Sequence, residues 1–234
     1  MRHCLPLVVV ALLATVPAAF AAGSPAVADR PDTGSIAVRC GRLIDGVAPA
    51  ATGPATVLIV DGRVQAVGPD VVVPAGVSRL DLSGYTCLPG LIDMHTHLTD
   101  GSHETGDLSV YYRRTRAQQL EIAKQSALET LEAGFTTVRD VGTYIAWVDR
   151  DLRDAINSGS TPGPRMQVAG YYLTIPAGGG DLVIPGHPES EIPAQVRMGV
   201  ARGPEQFRLK AEQAVAGGAD VLKVIASGAV LAYG

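Results

Sequence analysis

Apolar side chains recur at every second position in the first third of the chain and at every third or fourth position in much of the rest, the two spacings of strands and helices. Ile36, Val38, Cys40 and Leu43 predict a strand over 35–45 that ends at Asp45-Gly46. Residues 56–60 and 63–67 flank Asp61-Gly62, a dipeptide suited to the left-handed turn of a tight hairpin. A strand near 79–82 leads through Tyr85-Thr86-Cys87-Leu88 into Pro89-Gly90-Leu91-Ile92-Asp93-Met94-His95-Thr96-His97-Leu98. There Asp93, His95 and His97 stand at every second position and share one strand face.

Further on, Leu120, Ala123, Ala127, Leu128 and Leu131 form the apolar stripe of a helix over 113–133, stopped by Gly134. Residues 135–141 predict a strand whose Arg139-Asp140 reads as a buried ion pair closing a sheet wall. A helix over 148–156 spaces Leu152 and Ile156 four apart and ends at Asn157-Ser158-Gly159; a strand over 165–170 follows. Phe207, Ala211 and Val215 mark a helix over 205–217, and residues 219–226 predict a strand centred on Lys223. Between Leu222 and Val224 a buried lysine would lose hydration, which lowers its pKa; at a sheet edge its amine would reach water instead.

Composition excludes several classes. With 47% hydrophobic and 18% charged residues the chain is too apolar to be disordered. A formal charge of −4, without basic runs, gives nucleic acid no purchase. Arg2, an apolar run from Leu5 to about Leu13, and Ala19-Phe20-Ala21 predict a signal peptide over 1–22, cleaved near Ala21/Ala22, and a secreted or periplasmic product. The run is too short to span a bilayer and holds Pro6, with Pro17 just beyond, so no membrane span remains after cleavage. Residues 23–34 read as a linker. Cys40 and Cys87 then stay in a compartment that permits disulfides, and either pair or remain two buried thiols.

Two imidazoles on one strand face suit zinc and its first-row neighbours, because neutral imidazole nitrogen is a preferred ligand and a strand end holds it rigidly. His103 and His187 sit in loops and read as solvated. Pro176-Ala177-Gly178-Gly179-Gly180-Asp181 offers a close backbone approach and a candidate substrate loop, but lacks the lysine and helix start of a phosphate loop.

Gly90-Leu91-Ile92-Asp93-Met94-His95-Thr96-His97 resembles the strand-one metal motif of the amidohydrolase superfamily, and Ala219-Asp220-Val221-Leu222-Lys223-Val224-Ile225-Ala226-Ser227-Gly228 resembles its strand-four lysine motif. The resemblance implies an α/β fold, the first half of a (β/α)8 barrel over 89–234, preceded by part of a small β-sandwich over 35–88. It implies two divalent metal ions, zinc in the first instance, bound by His95, His97 and a carbamate on Lys223, with Asp93 orienting an imidazole. The implied activity is hydrolysis of a C–N amide bond in a small-molecule or dipeptide substrate such as Xaa-Pro. An imidazolonepropionase-like cyclic amide hydrolase is the alternative, and a catalytically inert fragment acting through interactions is another. Gly179 stands where dipeptidase-like members often carry a histidine.

A whole barrel takes typically about 250 residues, more than follow the motif. The sequence therefore reads as truncated after strand four, with the general base and second-site ligands expected beyond Gly234 and the fragment inactive alone. Homo-oligomerisation, two halves closing one barrel, is the alternative for so open a structure.

Overall fold

The computed structural model describes residues 34–101 and 106–228. The signal peptide, nearly all of the linker and His103 lie outside the described residues.

The first sheet comprises β1 (Ile36–Leu43), β2 (Ala55–Val60), β3 (Arg63–Gly68) and β4 (Ser78–Cys87), in the order β3-β2-β1-β4. β1 pairs parallel with β4; the other pairs are antiparallel. The β2–β3 hairpin turns at Asp61 and Gly62 with φ of 50° and 70°, the left-handed geometry an Asp-Gly turn favours. β4 is longer than the strand expected near 79–82 and runs on to Cys87. Cys40 and Cys87 form a disulfide with their Cα atoms 5.8 Å apart, so pairing is the alternative the fold adopts.

β5 (Leu91–Thr96), β6 (Phe135–Asp140) and β7 (Arg165–Val168) form a parallel sheet in that order. After the short α1 (Val110–Arg113), α2 (Arg116–Glu132) carries the chain from β5 to β6, and α3 (Val148–Asn157) carries it from β6 to β7. Thr115 starts α2 with a reciprocal cap: its side chain accepts the Gln118 N–H while the Gln118 side chain accepts that of Thr115. Gly134, at φ 95°, ends it. Ala123, Ala127, Val138, Val148, Leu152 and Val168 are fully buried between helices and sheet. This strand-helix order is that of the first half of a (β/α)8 barrel.

The strand expected over 165–170 is divided. β7 stops at Val168, the chain turns through Gly170 at φ 78°, and β8 (Tyr172–Thr174) pairs instead with β9 (Lys223–Ile225) in a separate parallel sheet. Asp149 on α3 explains the break: its buried carboxylate accepts the N–H groups of Ala169 at 3.1 Å and Gly170 at 2.7 Å, taking them out of the ladder. The Val168 carbonyl accepts from Asp220 and Val221 at 2.8 and 3.2 Å, which stitches the approach to β9 onto the end of β7.

Three further expectations need correction. Lys223 begins β9 instead of centring it, and is half-buried between exposed Leu222 and Val224. Arg139 and Asp140 form no ion pair, because neighbours on a strand point to opposite faces. Arg139 donates to the Met94 carbonyl at 2.8 Å, and Asp140 accepts the Leu98 N–H at 2.7 Å. In α4 (Gly203–Ala216), Phe207, Ala211 and Ala214 face the core while Val215 is exposed; steps of four overshoot a 3.6-residue turn. No described helix is long and apolar enough to cross a membrane.

Candidate metal centre

β5 ends at Thr96, and its pairing with β6 is irregular between Asp93 and Thr96, so His97 stands just beyond the strand. The two imidazoles still come together, with ring centroids 5.5 Å apart and planes at 66°. They lie at the C-terminal ends of the parallel strands, the end where barrel enzymes assemble their sites. β9 brings Lys223 near them. Desolvation first, then the Lys223 ammonium and His97, hold His95 below the usual imidazole range, while Asp93 pulls the other way.

The Nδ1 side of His97 is crowded. It lies 3.0 Å from the Gly142 carbonyl and 3.0 Å from the Tyr172 hydroxyl. That hydroxyl is 2.9 Å from Asp100 Oδ2 and 3.1 Å from the same Gly142 carbonyl. Asp100 Oδ2 is itself 3.7 Å from Nδ1, and its other oxygen accepts the Tyr144 N–H at 3.2 Å. The turn before it is pinned: Gln119 donates to the carbonyls of Thr99 at 2.6 Å and Asp100 at 3.1 Å, and the Tyr111 hydroxyl donates to the Asp100 carbonyl.

Burial pushes the Asp100 carboxyl up, opposed by His97, the Tyr172 hydroxyl and the Tyr144 amide. Burial, then Asp149 and Asp100, push Asp140 well above the carboxylate range. Burial, then Asp100, hold Tyr172 far from ionising.

Asp93 does not touch a ring; its Oδ1 accepts the backbone N–H of His95 at 2.9 Å. Asp100, Tyr172 and Gly142 make the ring contacts, and none was read from the sequence as a site residue. Asp100, three residues after His97, was the one local signal available. The glycine loop is a tight turn. Asp181, buried, accepts the Ala177 N–H at 2.9 Å and pairs with Arg197 at 2.6 Å, and Gly179 donates to the Ser227 carbonyl at 3.3 Å. Side chains of Thr174 and Tyr172 fill the space beside Gly178 and Gly180, so these glycines serve close packing. His187 pairs with Glu191 at 3.1 Å and meets Tyr112 edge-on.

Among the described residues no three His, Cys, Asp or Glu side chains are placed to hold a metal ion. Lys223 is near enough for its charge to act on His95. Thr96 Oγ1 and Thr99 Oγ1, beside His97 in sequence, and Asp140 Oδ1 on β6 are buried with no hydrogen-bond partner among the described residues. Paired imidazoles are donors of the kind that transition metals take.

Residues 86–234 match the amidohydrolase family model. The chain belongs to the amidohydrolase family. Among solved structures, this amidohydrolase is similar to an Xaa-Pro dipeptidase with methionine in its active site (TM-score 0.68, 29% identity, 81% of this chain and 46% of that one). It is also similar to a prolidase complexed with N-methylphosphonate-L-proline (TM-score 0.73, 26% identity, 85% of this chain and 48% of that one). Imidazolonepropionase from Saccharopolyspora erythraea is 28% identical over 144 residues, 54% of this chain and 37% of the relative. The amidohydrolase chain spans less than half the length of each. Amidohydrolases generally bind divalent metals.

Proposed function

We propose that the chain carries the first-metal half of an exported hydrolase of C–N amide bonds acting on dipeptides such as Xaa-Pro. The observation that carries this reading is the pairing of His95 and His97 at the end of β5, with Lys223 close enough to depress His95. Similarity to the Xaa-Pro dipeptidase and the prolidase supports the substrate class. His95, His97 and a carbamate formed when the Lys223 amine adds carbon dioxide and releases a proton would hold two zinc ions. Such ions polarise a scissile carbonyl and make water acidic enough to ionise near neutrality. The chain's own part is to hold the two rings side by side and keep the lysine within reach. The general base and remaining ligands are proposed to follow Gly234.

Similarity to imidazolonepropionase over 144 residues favours a second reading, hydrolysis of a cyclic amide with one metal and no carbamate. Zinc titration of the metal-stripped protein tests the shared part. His95→Ala and His97→Ala should abolish binding, and Lys223→Ala should weaken it at least about tenfold, with partial rescue by short carboxylates. Binding equal to wild type in all three variants would remove the assignment. A carbamate on Lys223 favours the dipeptidase reading, and its absence the other.

A further inference from the structure

A histidine can bind a metal through Nε2 only if its proton sits on Nδ1, and what surrounds Nδ1 decides that. At His97 the three neighbours differ in kind. The Gly142 carbonyl only accepts, the Asp100 carboxylate only accepts, and the Tyr172 hydroxyl has one proton to give. That proton has three destinations: Asp100 Oδ2 at 2.9 Å, His97 Nδ1 at 3.0 Å and the Gly142 carbonyl at 3.1 Å. Sent to Nδ1, it would leave Nε2 protonated and useless as a ligand, and the charged acceptor beside it without the hydroxyl bond. Sent to Asp100, it makes the charge-assisted bond, the stronger kind. Nδ1 then keeps its own proton and donates it to Gly142 at 3.0 Å.

We propose that Asp100, acting through the Tyr172 hydroxyl, sets the tautomer of His97 and so leaves Nε2 as a ligand atom. Asp100 and Tyr172 are positioning residues; Tyr172 meets Asp100 across 72 positions of sequence and the His97 imidazole across 75. The parts are held in advance. Tyr172 is buried and meets Tyr144 edge-on at 5.2 Å, and at Gly142, φ 110°, even a methyl group would overlap the Tyr172 ring. The Asp100 backbone is fixed by Gln119 and Tyr111. The inference deepens the metal-site reading, and rests on it for the consequence to metal binding but not for the tautomer itself.

Long-range 15N NMR on metal-free protein at about pH 8.5, where an ordinary imidazole is neutral, reads the tautomer directly; His97→Gln assigns the signal. Wild type should carry the proton on Nδ1. In Asp100→Asn the side-chain amide donates to the Tyr172 oxygen and turns the hydroxyl proton toward the ring, so His97 should shift to the Nε2–H form. Tyr172→Phe removes that proton, and the double variant Asp100→Asn/Tyr172→Phe should therefore return to Nδ1–H. Zinc affinity should fall about 10- to 100-fold in Asp100→Asn and recover in the double variant.

An Nε2–H tautomer in wild type overturns the inference with no variant needed. So does an Asp100→Asn protein with the wild-type tautomer. A switch of tautomer with no zinc binding by wild type supports the relay and refutes His97 as a ligand.

Discussion

Gln119 is fully buried on α2, where the sequence pattern marks only Leu120, Ala123 and their apolar neighbours. Its amide serves the Thr99 and Asp100 carbonyls, which fix the turn behind His97. Gln119→Leu, similar in size and apolar, leaves both acceptors buried without that donor and should cost about 1–3 kcal/mol in urea denaturation. Unchanged stability would mean that water reaches those carbonyls. His95 and His97 were legible because spacing by two is a local property of a strand. Tyr172 and Gly142 were not, since they meet His97 across 75 and 45 positions. The hydrogen bond of Asp93 was hidden for the opposite reason. Alternation put Asp93 on the right face, but a carboxylate two residues before an N–H closes a local ring with it first.

The order of strands and helices was readable from the switch between the two periods, and the β2–β3 hairpin from Asp-Gly. The gap between β7 and β8 was not, because its cause lies on α3. Burial raises the Asp149 carboxyl to about 6, against the N–H bonds from Gly170, Arg150 and Ala169 that lower it. An unfolded aspartate titrates near 3.9. Between about pH 4 and pH 6 the folded chain thus holds a proton the unfolded chain has released, and stability falls as pH rises through that window, by about 3 kcal/mol at most. Above it this contribution stays lost. Thermal melts from pH 4.5 to 7 should show the decline in wild type and a shallower one in Asp149→Asn, whose side-chain oxygen can still accept both amides. Identical slopes would remove Asp149 as the source.

At the scale of the molecule, spacing shows which side chains want cover but not whether cover is present. Ile92 is 62% exposed and Val224 53%, although both are large apolar residues within strands. Spacing alone left the Lys223 strand open between an enclosed and an edge position. Pairing of Cys40 with Cys87 was equally undecided until β1 and β4 were seen side by side. The bond closes a loop of 47 positions, which a chain-entropy estimate values at about 4 kcal/mol. Melts of Cys40→Ala/Cys87→Ala against wild type should show a loss of that order; equal midpoints would mean that sheet pairing alone holds the first sheet. A difference of about 4 kcal/mol is roughly a thousandfold in the population of opened molecules. Peptidases cut what is open, so the same polypeptide would be long-lived where its surroundings oxidise thiols and quickly cleared where they reduce them.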